Sequence, residues 1–297
     1  MNPDFRRLLP GQICRVQIGY ADGRPPEVLF ETDDLLIEAP NWTLDGERLI
    51  VNGDGGLWSL ALREPALTPI PLKDVPPLNN DHVLSPDGEH IFLSAYDGHI
   101  HEAPLSGGPG RRITPDRVPR RLHFLHGVSP DGLTLAYIGI EPDAAGGWRN
   151  ADVFSLSLRD GADRRLTHGP GPADGCEFAP RSDAIYLNTE AFSDTPGHAQ
   201  IARMSVTGAH LEQLTHDDAV NWFPHLAPDE EHAVYLSFPP GTIGHPENAE
   251  VELKLVTADD WAHPHTIDRF LGGQGTINVN SWAPDSTRFA YISYPVI

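Results

Sequence analysis

A short turn motif recurs six times along this 297-residue chain, and it constrains the fold more than any other feature. Its two fullest copies read Ser85-Pro86-Asp87-Gly88 and Ser129-Pro130-Asp131-Gly132. Four more degenerate copies lie at 42–46, 178–182, 226–230 and 282–286, and successive copies are 42 to 56 residues apart. Proline presets a turn, aspartate can accept a hydrogen bond from its own backbone, and glycine accepts a positive φ. Each copy therefore predicts a tight hairpin between two strands.

The segments between the hairpins have the pattern of stacked antiparallel sheets. An apolar run such as 135–138 follows every hairpin, without the polar alternation of a sheet that faces water on one side. A third strand and a second turn come next, most clearly at 152–158 and at 200–206. Four antiparallel strands in about 40–50 residues, repeated radially, are typical of a β-propeller blade.

The two ends of the chain complete the count of blades. The sixth hairpin leaves only residues 281–297, which is enough for two strands of a blade. Two further strand patterns, 13–18 and 27–30, stand at the other end of the chain. We therefore predict an all-β, six-bladed β-propeller formed by residues 1–297 as a single domain, with its last blade closed by the N-terminal strands within residues 12–30. Closure of the ring removes exposed sheet edges.

The repeats resemble those of a known family. The two Ser-Pro-Asp-Gly copies, together with Trp42 and Trp282 two residues before the proline position, resemble the propeller repeats of TolB. A more distant likeness connects them to the propellers of oligogalacturonate lyases and of prolyl oligopeptidases. The resemblance covers about residues 12–297 and implies a β-propeller fold. The likeness to TolB also implies a periplasmic protein that binds the lipoprotein Pal and colicins.

Two features of these relatives are not found in the sequence. TolB has an additional N-terminal α/β domain and a signal peptide, and residues 1–10 have no apolar segment of the kind that a signal peptide needs. We therefore expect a cytoplasmic protein, or a periplasmic one if a leader has been removed. The Gly-x-Ser-x-Gly motif of the peptidases is also missing, which disfavours serine hydrolysis.

The charge of the chain excludes two classes of partner. Lysine and arginine number 21 against 42 aspartates and glutamates, so the formal net charge is −21. Binding to nucleic acids and binding to anionic membranes both need a basic surface. No apolar stretch approaches the roughly 20 residues of a membrane span. We expect a protein, peptide or saccharide ligand, with no nucleic acid and no membrane span.

Loop lengths indicate which face of the propeller binds a ligand. The connections between second and third strands share one face with the connections between blades, and we call it the long-loop face. The second-to-third connections are long in blades three to five, at 141–150, 190–198 and 239–248, and almost absent in blades one and two. Long loops on a rigid scaffold favour a binding site, although drift of surface loops gives the same pattern. We predict these ligand-binding residues: Trp148, Arg149, Asn150, Glu177, Asn221, Trp222, His225, Gln274 and Asn278.

Histidines on the same face suggest a metal site. Counting back three residues from each hairpin proline position places Glu177 and His225 at equivalent points of neighbouring blades, so we expect them to be adjacent. Imidazoles and carboxylates suit a divalent transition metal. Oligogalacturonate lyases hold a metal with histidines and a glutamine, and the chemically similar residues here are His198, His225, His245 and Gln274. The alternative is a set of hydrogen-bonded rim histidines. His82 and His126 lie one place out of phase and are expected to point into the blade interfaces.

Two functions remain open at this stage. The first is a non-enzymatic binding module that holds a protein, a peptide or a glycan on the long-loop face. The alternative is a metal-dependent, lyase-like enzyme acting on an acidic saccharide, whose metal would polarise a carboxylate of the substrate. A divalent metal is the only cofactor that the sequence suggests, and it identifies no catalytic residue.

Overall fold

The computed structural model describes residues 5–143, 147, 151–181 and 183–297. Every regular element within these ranges is a β-strand, and they contain no helix long and apolar enough to cross a membrane. In chain order the strands are β1 (Cys14–Tyr20), β2 (Glu27–Thr32), β3 (Glu38–Trp42), β4 (Arg48–Gly53), β5 (Gly56–Ala61), β6 (Leu67–Ile70), β7 (Leu72–Lys73), β8 (Leu78–Leu84), β9 (His90–Ala95), β10 (Ile100–Pro104), β11 (Gly108–Pro109), β12 (Arg111–Arg112), β13 (Leu122–Val128), β14 (Thr134–Ile140), β15 (Asp152–Ser157), β16 (Asp163–Arg165), β17 (Ala173–Phe178), β18 (Ala184–Thr189), β19 (Gln200–Ser205), β20 (Glu212–Gln213), β21 (Val220–Leu226), β22 (His232–Phe238), β23 (Ala249–Thr257), β24 (Asp260–Gly272) and β25 (Arg288–Ser293).

Six antiparallel sheets are arranged as the blades of a propeller, which confirms the predicted fold. Blades one to five are the four-stranded sheets β3-β4-β5-β6, β8-β9-β10-β12, β13-β14-β15-β16, β17-β18-β19-β20 and β21-β22-β23-β24. The sixth blade is the sheet β25-β1-β2, and its innermost segment makes a single bridge between Trp282 and Phe289. A small parallel pair, β7 and β11, lies outside the six blades.

The N-terminal strands close the last blade as predicted. β1 pairs with β25, with Val16 opposite Ile292 and Gln17 opposite Tyr291, while β2 pairs with the other edge of β1. Gly19 of β1 lies opposite Phe289, and a Cβ atom at position 19 would stand 2.3 Å from the phenyl ring. Glycine at this position therefore leaves the space that the ring of Phe289 fills.

Apolar side chains pack between neighbouring blades. One buried cluster joins blades five and six and includes Trp222, Trp282 and Phe289. Trp282 and Trp42, the tryptophans of the repeats, are 4 % and 3 % exposed. The indole nitrogen of Trp282 donates to the carbonyl oxygen of His225 in blade five at 3.0 Å. Because both faces of each blade are covered, the second strands can be apolar on both sides.

The repeated motif forms the hairpin between the first and second strands of a blade. In blade three, the Ser129 hydroxyl donates to Asp131 at 2.6 Å, and the amide of Leu133 donates to the same carboxylate oxygen at 3.0 Å. Gly132 has a φ of +71°, which side-chain-bearing residues rarely adopt. These bonds hold the pKa of the Asp131 carboxyl below its usual range. The motif aspartate thus stabilises a turn, as its sequence context indicates.

Candidate functional site

A β-bulge interrupts the innermost strand in each of the first five blades. The shifts in register fall between the pairs 38/41, 78/82, 125/127, 174/177 and 222/225. In three of the bulges a residue adopts positive φ, namely Ala39 (+54°), Gly175 (+59°) and Phe223 (+56°). A bulge adds a residue and re-aims the side chains around it. The residues before and after each bulge therefore do not follow one simple alternation.

A cavity of about 530 Å³ lies at the long-loop face, where the six blades meet. The residues that line it come from the beginnings of innermost strands, from the hairpins at 54–55 and 96–98, and from the loop at 245–247. Its volume is within the roughly 300–1,000 Å³ of typical small-ligand sites. Part of the wall carries carboxylates and amides, and another part is apolar.

The polar side is centred on an imidazole between two carboxylates. His126 Nε2 lies 3.1 Å from Asp174 Oδ1, and its Nδ1 lies 3.2 Å from the carbonyl oxygen of Asn278. Burial alone would lower the pKa of His126, but the charges of Asp81 and Asp174 outweigh it and raise this pKa to about 9. Burial tends to raise the pKa of Asp174, yet the hydrogen bond and the charge of His126 hold it below the usual range. This part of the wall therefore holds an imidazolium ion.

The apolar side is a patch of blade three. Leu122 pairs with Ile140 and Phe124 pairs with Ile138 across the antiparallel strands β13 and β14, so the four side chains share one face of the sheet. All four line the cavity. They form a continuous hydrophobic surface in blade three, and Phe124 and Ile140 pack towards the strand β17 that carries Asp174.

The N-terminal segment contributes one more charged group to the wall. The guanidinium of Arg6 donates to Glu38 at 3.0 Å and to the carbonyl oxygen of Gln274 at 2.6 Å, and its Nε lies 2.7 Å from Glu247. Its carbon Cζ stands 4.2 Å from the centre of the Tyr294 ring. Arg6 therefore links the first, fifth and sixth blades at the edge of the cavity.

Comparison with known proteins identifies the family of this chain. No family model matches the chain. An uncharacterized protein of Agrobacterium fabrum is 34% identical over 292 residues, which is 96% of this chain and 94% of the relative. The solved structure of a TolB-like protein of Agrobacterium tumefaciens is 31% identical with a TM-score of 0.86, and the match covers 96% of this chain and 99% of that one. This chain belongs to the TolB-like β-propeller family.

More distant structures share the fold of this TolB-like propeller. TolB of Acinetobacter baumannii is 19% identical with a TM-score of 0.63, over 89% of this chain and 65% of that chain. An oligogalacturonate lyase in complex with manganese is 12% identical with a TM-score of 0.56, over 90% of this chain and 75% of that chain. At these identities the two structures show a common propeller and carry no information about its ligand.

Six of the nine residues predicted to bind a ligand are among the described residues, and these six fall into three groups. Gln274 and Asn278 line the cavity. Trp222 lies behind the wall, with its ring centre 4.3 Å from that of the lining residue His245. Trp148, Arg149 and Asn150 lie outside the described residues.

The other three predicted residues are in hydrogen-bonded positions away from the cavity wall. Glu177 and His225 are adjacent as expected, with His225 Nδ1 bonded to a carboxylate oxygen of Glu177. The other ring nitrogen of His225 lies 2.6 Å from the carbonyl oxygen of Ile277. Asn221 is fully buried and donates to Asp217 at 3.0 Å. None of the three is among the residues that line the cavity.

The structure places the four predicted metal ligands in different surroundings. His245 and Gln274 reach the cavity, but both ring nitrogens of His225 are engaged by oxygen acceptors. His198 lies at the blade-four loop, with its ring nitrogens next to Ser193 and the carbonyl oxygen of Asp217. In the part of the chain that the structure describes, the only group of three His, Cys, Asp or Glu side chains with ligand atoms within 4.8 Å is Asp87, Glu89 and His90, on a hairpin of the opposite face.

Several lining residues were missed at the sequence level, although a signal for them exists. The position six residues before the hairpin proline carries Glu38, Asn80, Phe124, Asp174, Trp222 and Asn278, and all of these except Trp222 line the cavity. His126, which was expected in a blade interface, lines it as well, because it lies in the bulge of β13. In the row three residues before the proline, Glu177 and His225 instead form a buried hydrogen bond with each other and do not line the cavity.

Proposed function

We propose that this TolB-like propeller is a non-enzymatic binding module that holds a protein segment, a peptide or a glycan at its long-loop face. The observation that supports this function is the cavity where all six blades meet, which has an apolar side and a polar side. Binding sites for small ligands and peptide segments combine a mostly apolar surface with a few fixed polar groups. The family assignment agrees with a binding role without naming the ligand.

The lyase alternative gains no support from the residues on which it depends. The four predicted metal ligands do not converge, and the resemblance to the manganese-bound lyase is one of fold alone. Incubation with an oligogalacturonide and Mn²⁺, followed by the absorbance of the unsaturated product, tests this alternative directly. For the binding module we also propose a cytoplasmic location, which cell fractionation would test.

The binding function can be tested by filling the cavity. Peptide display and a glycan array would select ligands for the wild-type protein, and each ligand would then be measured with two variants. Leu122→Trp adds bulk to the apolar wall, while Leu133→Trp adds the same bulk at an exposed hairpin on the opposite face of the same blade. We expect the first variant to weaken binding more than tenfold and the second to leave it within twofold.

Thermal unfolding of both variants shows whether they are folded. A selected ligand that binds the two folded variants equally well would contradict the proposed site.

A further inference from the structure

We propose that the cavity binds a ligand with a positively charged amino or guanidinium group attached to an apolar body. The inference rests on the binding function proposed above and specifies the chemistry of its ligand. Three features of the wall support it: the balance of charges, the lack of a lysine or arginine partner in the described part of the chain for two carboxylates, and the apolar patch beside them.

Carboxylates outnumber cations around the cavity. The acidic lining residues are Glu38, Asp54, Asp81, Asp174 and Glu247. Arg6 pairs with Glu38 and Glu247, and Arg7 lies 3.0 Å from Asp54. The two remaining carboxylates, Asp81 and Asp174, have only the imidazoles of His126 and His245 as cationic neighbours among the described residues. An uncompensated negative charge in a partly enclosed wall attracts a cation more strongly than the same charge does on an open surface.

No lysine or arginine within the described ranges forms an ion pair with Asp81 or Asp174. Asp174 Oδ1 accepts bonds from His126 and from the amide of Gly175, whereas the nearest cationic group to its Oδ2 among the described residues is His245, at 3.9 Å. Burial raises the pKa of Asp81, although His126 acts in the opposite direction. A cationic group of a ligand placed at Asp174 Oδ2 would pair with a carboxylate oxygen that no lysine or arginine of the described residues contacts.

Two acceptor atoms of residues in this wall are buried and lack a hydrogen-bond partner among the described residues. Asn52 is only 3 % exposed, and its Oδ1 has no hydrogen-bond partner among the described residues. The side-chain oxygen of Gln274 also has no hydrogen-bond partner among the described residues. The side-chain nitrogen of Gln274 donates to Asn80 at 3.0 Å. Both residues line the cavity. An ammonium group offers three N–H donors and a guanidinium group offers five, and neither accepts hydrogen bonds.

The arrangement fits an organic cation better than a metal ion. No three His, Cys, Asp or Glu side chains of the described cavity wall bring their ligand atoms within 4.8 Å of one another. The patch of Leu122, Phe124, Ile138 and Ile140 would pack against an apolar body, which a bare ion does not have. Burial of that body removes apolar surface from water and strengthens binding.

The test uses a matched series of small probes with the wild-type protein. Isothermal titration calorimetry would measure 4-phenylbutylamine, 4-phenylbutylguanidine, the neutral 4-phenylbutanol, the anionic 4-phenylbutyrate, and butylamine, which lacks the ring. We expect the two cationic aryl probes to bind at least tenfold more tightly than the alcohol, the anion to bind more weakly still, and butylamine to bind at least fivefold more weakly than 4-phenylbutylamine. The amine and guanidine arms show which cation is preferred.

Two variants place the charge preference at the proposed carboxylate. Asp174→Asn should weaken 4-phenylbutylamine at least tenfold and leave the alcohol within twofold. Asp131→Asn removes the same charge from the hairpin on the opposite face of the molecule and should change neither probe. A role of Asp174 in folding alone would weaken the alcohol and the amine together.

The outcomes separate this inference from the function on which it rests. If the alcohol or the anion binds as tightly as the amine, or if neither cationic probe binds, the inference is overturned. In that case the binding function still stands if Leu122→Trp abolishes binding of a selected ligand. If the selected ligands also bind Leu122→Trp as tightly as the wild type, both proposals fail.

Discussion

The imidazole of His126, in the cavity wall, makes the stability of the folded protein depend on pH. Its two ring nitrogens face Asp174 and the carbonyl oxygen of Asn278, which are both acceptors, and its folded-state pKa is about 9 against an ordinary value of 6.5. The folded protein therefore holds this proton more tightly than the unfolded chain does. The resulting stabilisation is complete below pH 6.5 and is lost as the pH rises through 9. Its size is about 3 kcal/mol, because one pKa unit corresponds to about 1.4 kcal/mol.

The measurement is urea unfolding of the wild type and of His126→Gln between pH 6 and pH 9.5. We expect the free energy of unfolding of the wild type to decrease with pH by a few kcal/mol more than that of the variant. His263→Gln, at an exposed position on the outer strand β24, is the matched control and should follow the wild type. A parallel pH dependence in wild type and His126→Gln would show that the proton on His126 does not contribute to stability.

At the level of the element, the bulges explain why the fold was predictable and the site only in part. Turn chemistry fixed the hairpins, and the apolar runs fixed the second strands, because both signals are local. The direction in which the side chains of the innermost strands point depends on bulges. In the bulge at Ala39, a residue other than glycine adopts positive φ. The local sequence does not predict that conformation. Counting back three residues from each hairpin proline therefore identified the row of Glu177 and His225. It missed the row of Asp174, which lies six residues before the proline.

The row of Glu177 and His225 links the innermost strands of blades four to six. Asn280 of the sixth blade donates to Glu177 at 2.6 Å and to the carbonyl oxygen of Leu226 at 2.9 Å. Because the pair is buried, removing one partner leaves the other without its bond. Glu177→Ala should therefore lower the free energy of unfolding by about 3–5 kcal/mol.

A matched substitution is available on the outer edge of the same blade. Glu212 of β20 pairs with Arg203 at the surface, and Glu212→Ala should lower the free energy of unfolding by no more than about 1 kcal/mol. Glu177→Gln keeps an acceptor for His225 and should fall between the two. Chemical unfolding at constant pH measures all three variants, and equal losses for Glu177→Ala and Glu212→Ala would show that the buried bonds do not link the blades energetically.

At the scale of the whole molecule, the sixth blade is built from both ends of the chain. The amide of Ile297 donates to the carbonyl oxygen of Gly11 at 2.9 Å, so the two terminal segments run side by side. This closure was predictable because the number of strands after the last hairpin is a simple count. The role of Arg6 was not predictable, because its partners Glu38 and Glu247 lie in distant blades.

Closure can be separated from chain order by moving the termini. A circular permutant that begins at Asp34 and joins Ile297 to Met1 through a Gly-Ser linker keeps every strand and makes blade six continuous. The new ends fall at the exposed residues Asp33 and Asp34, and such sites tolerate cutting. We expect the permutant to unfold in one cooperative transition like the wild type. Deletion of residues 1–33 leaves β25 as an open edge and should give an aggregating chain without that transition.

Circular dichroism during thermal unfolding, together with light scattering, distinguishes these two chains. They differ in whether β1 and β2 are present, while both begin at the same residue. A deleted chain that stayed monomeric and unfolded cooperatively at the wild-type temperature would show that five blades and β25 are stable without closure. A permutant that failed to fold would show instead that the N-terminal strands must be made first, so the order of synthesis would matter as well as the final pairing of β1 with β25.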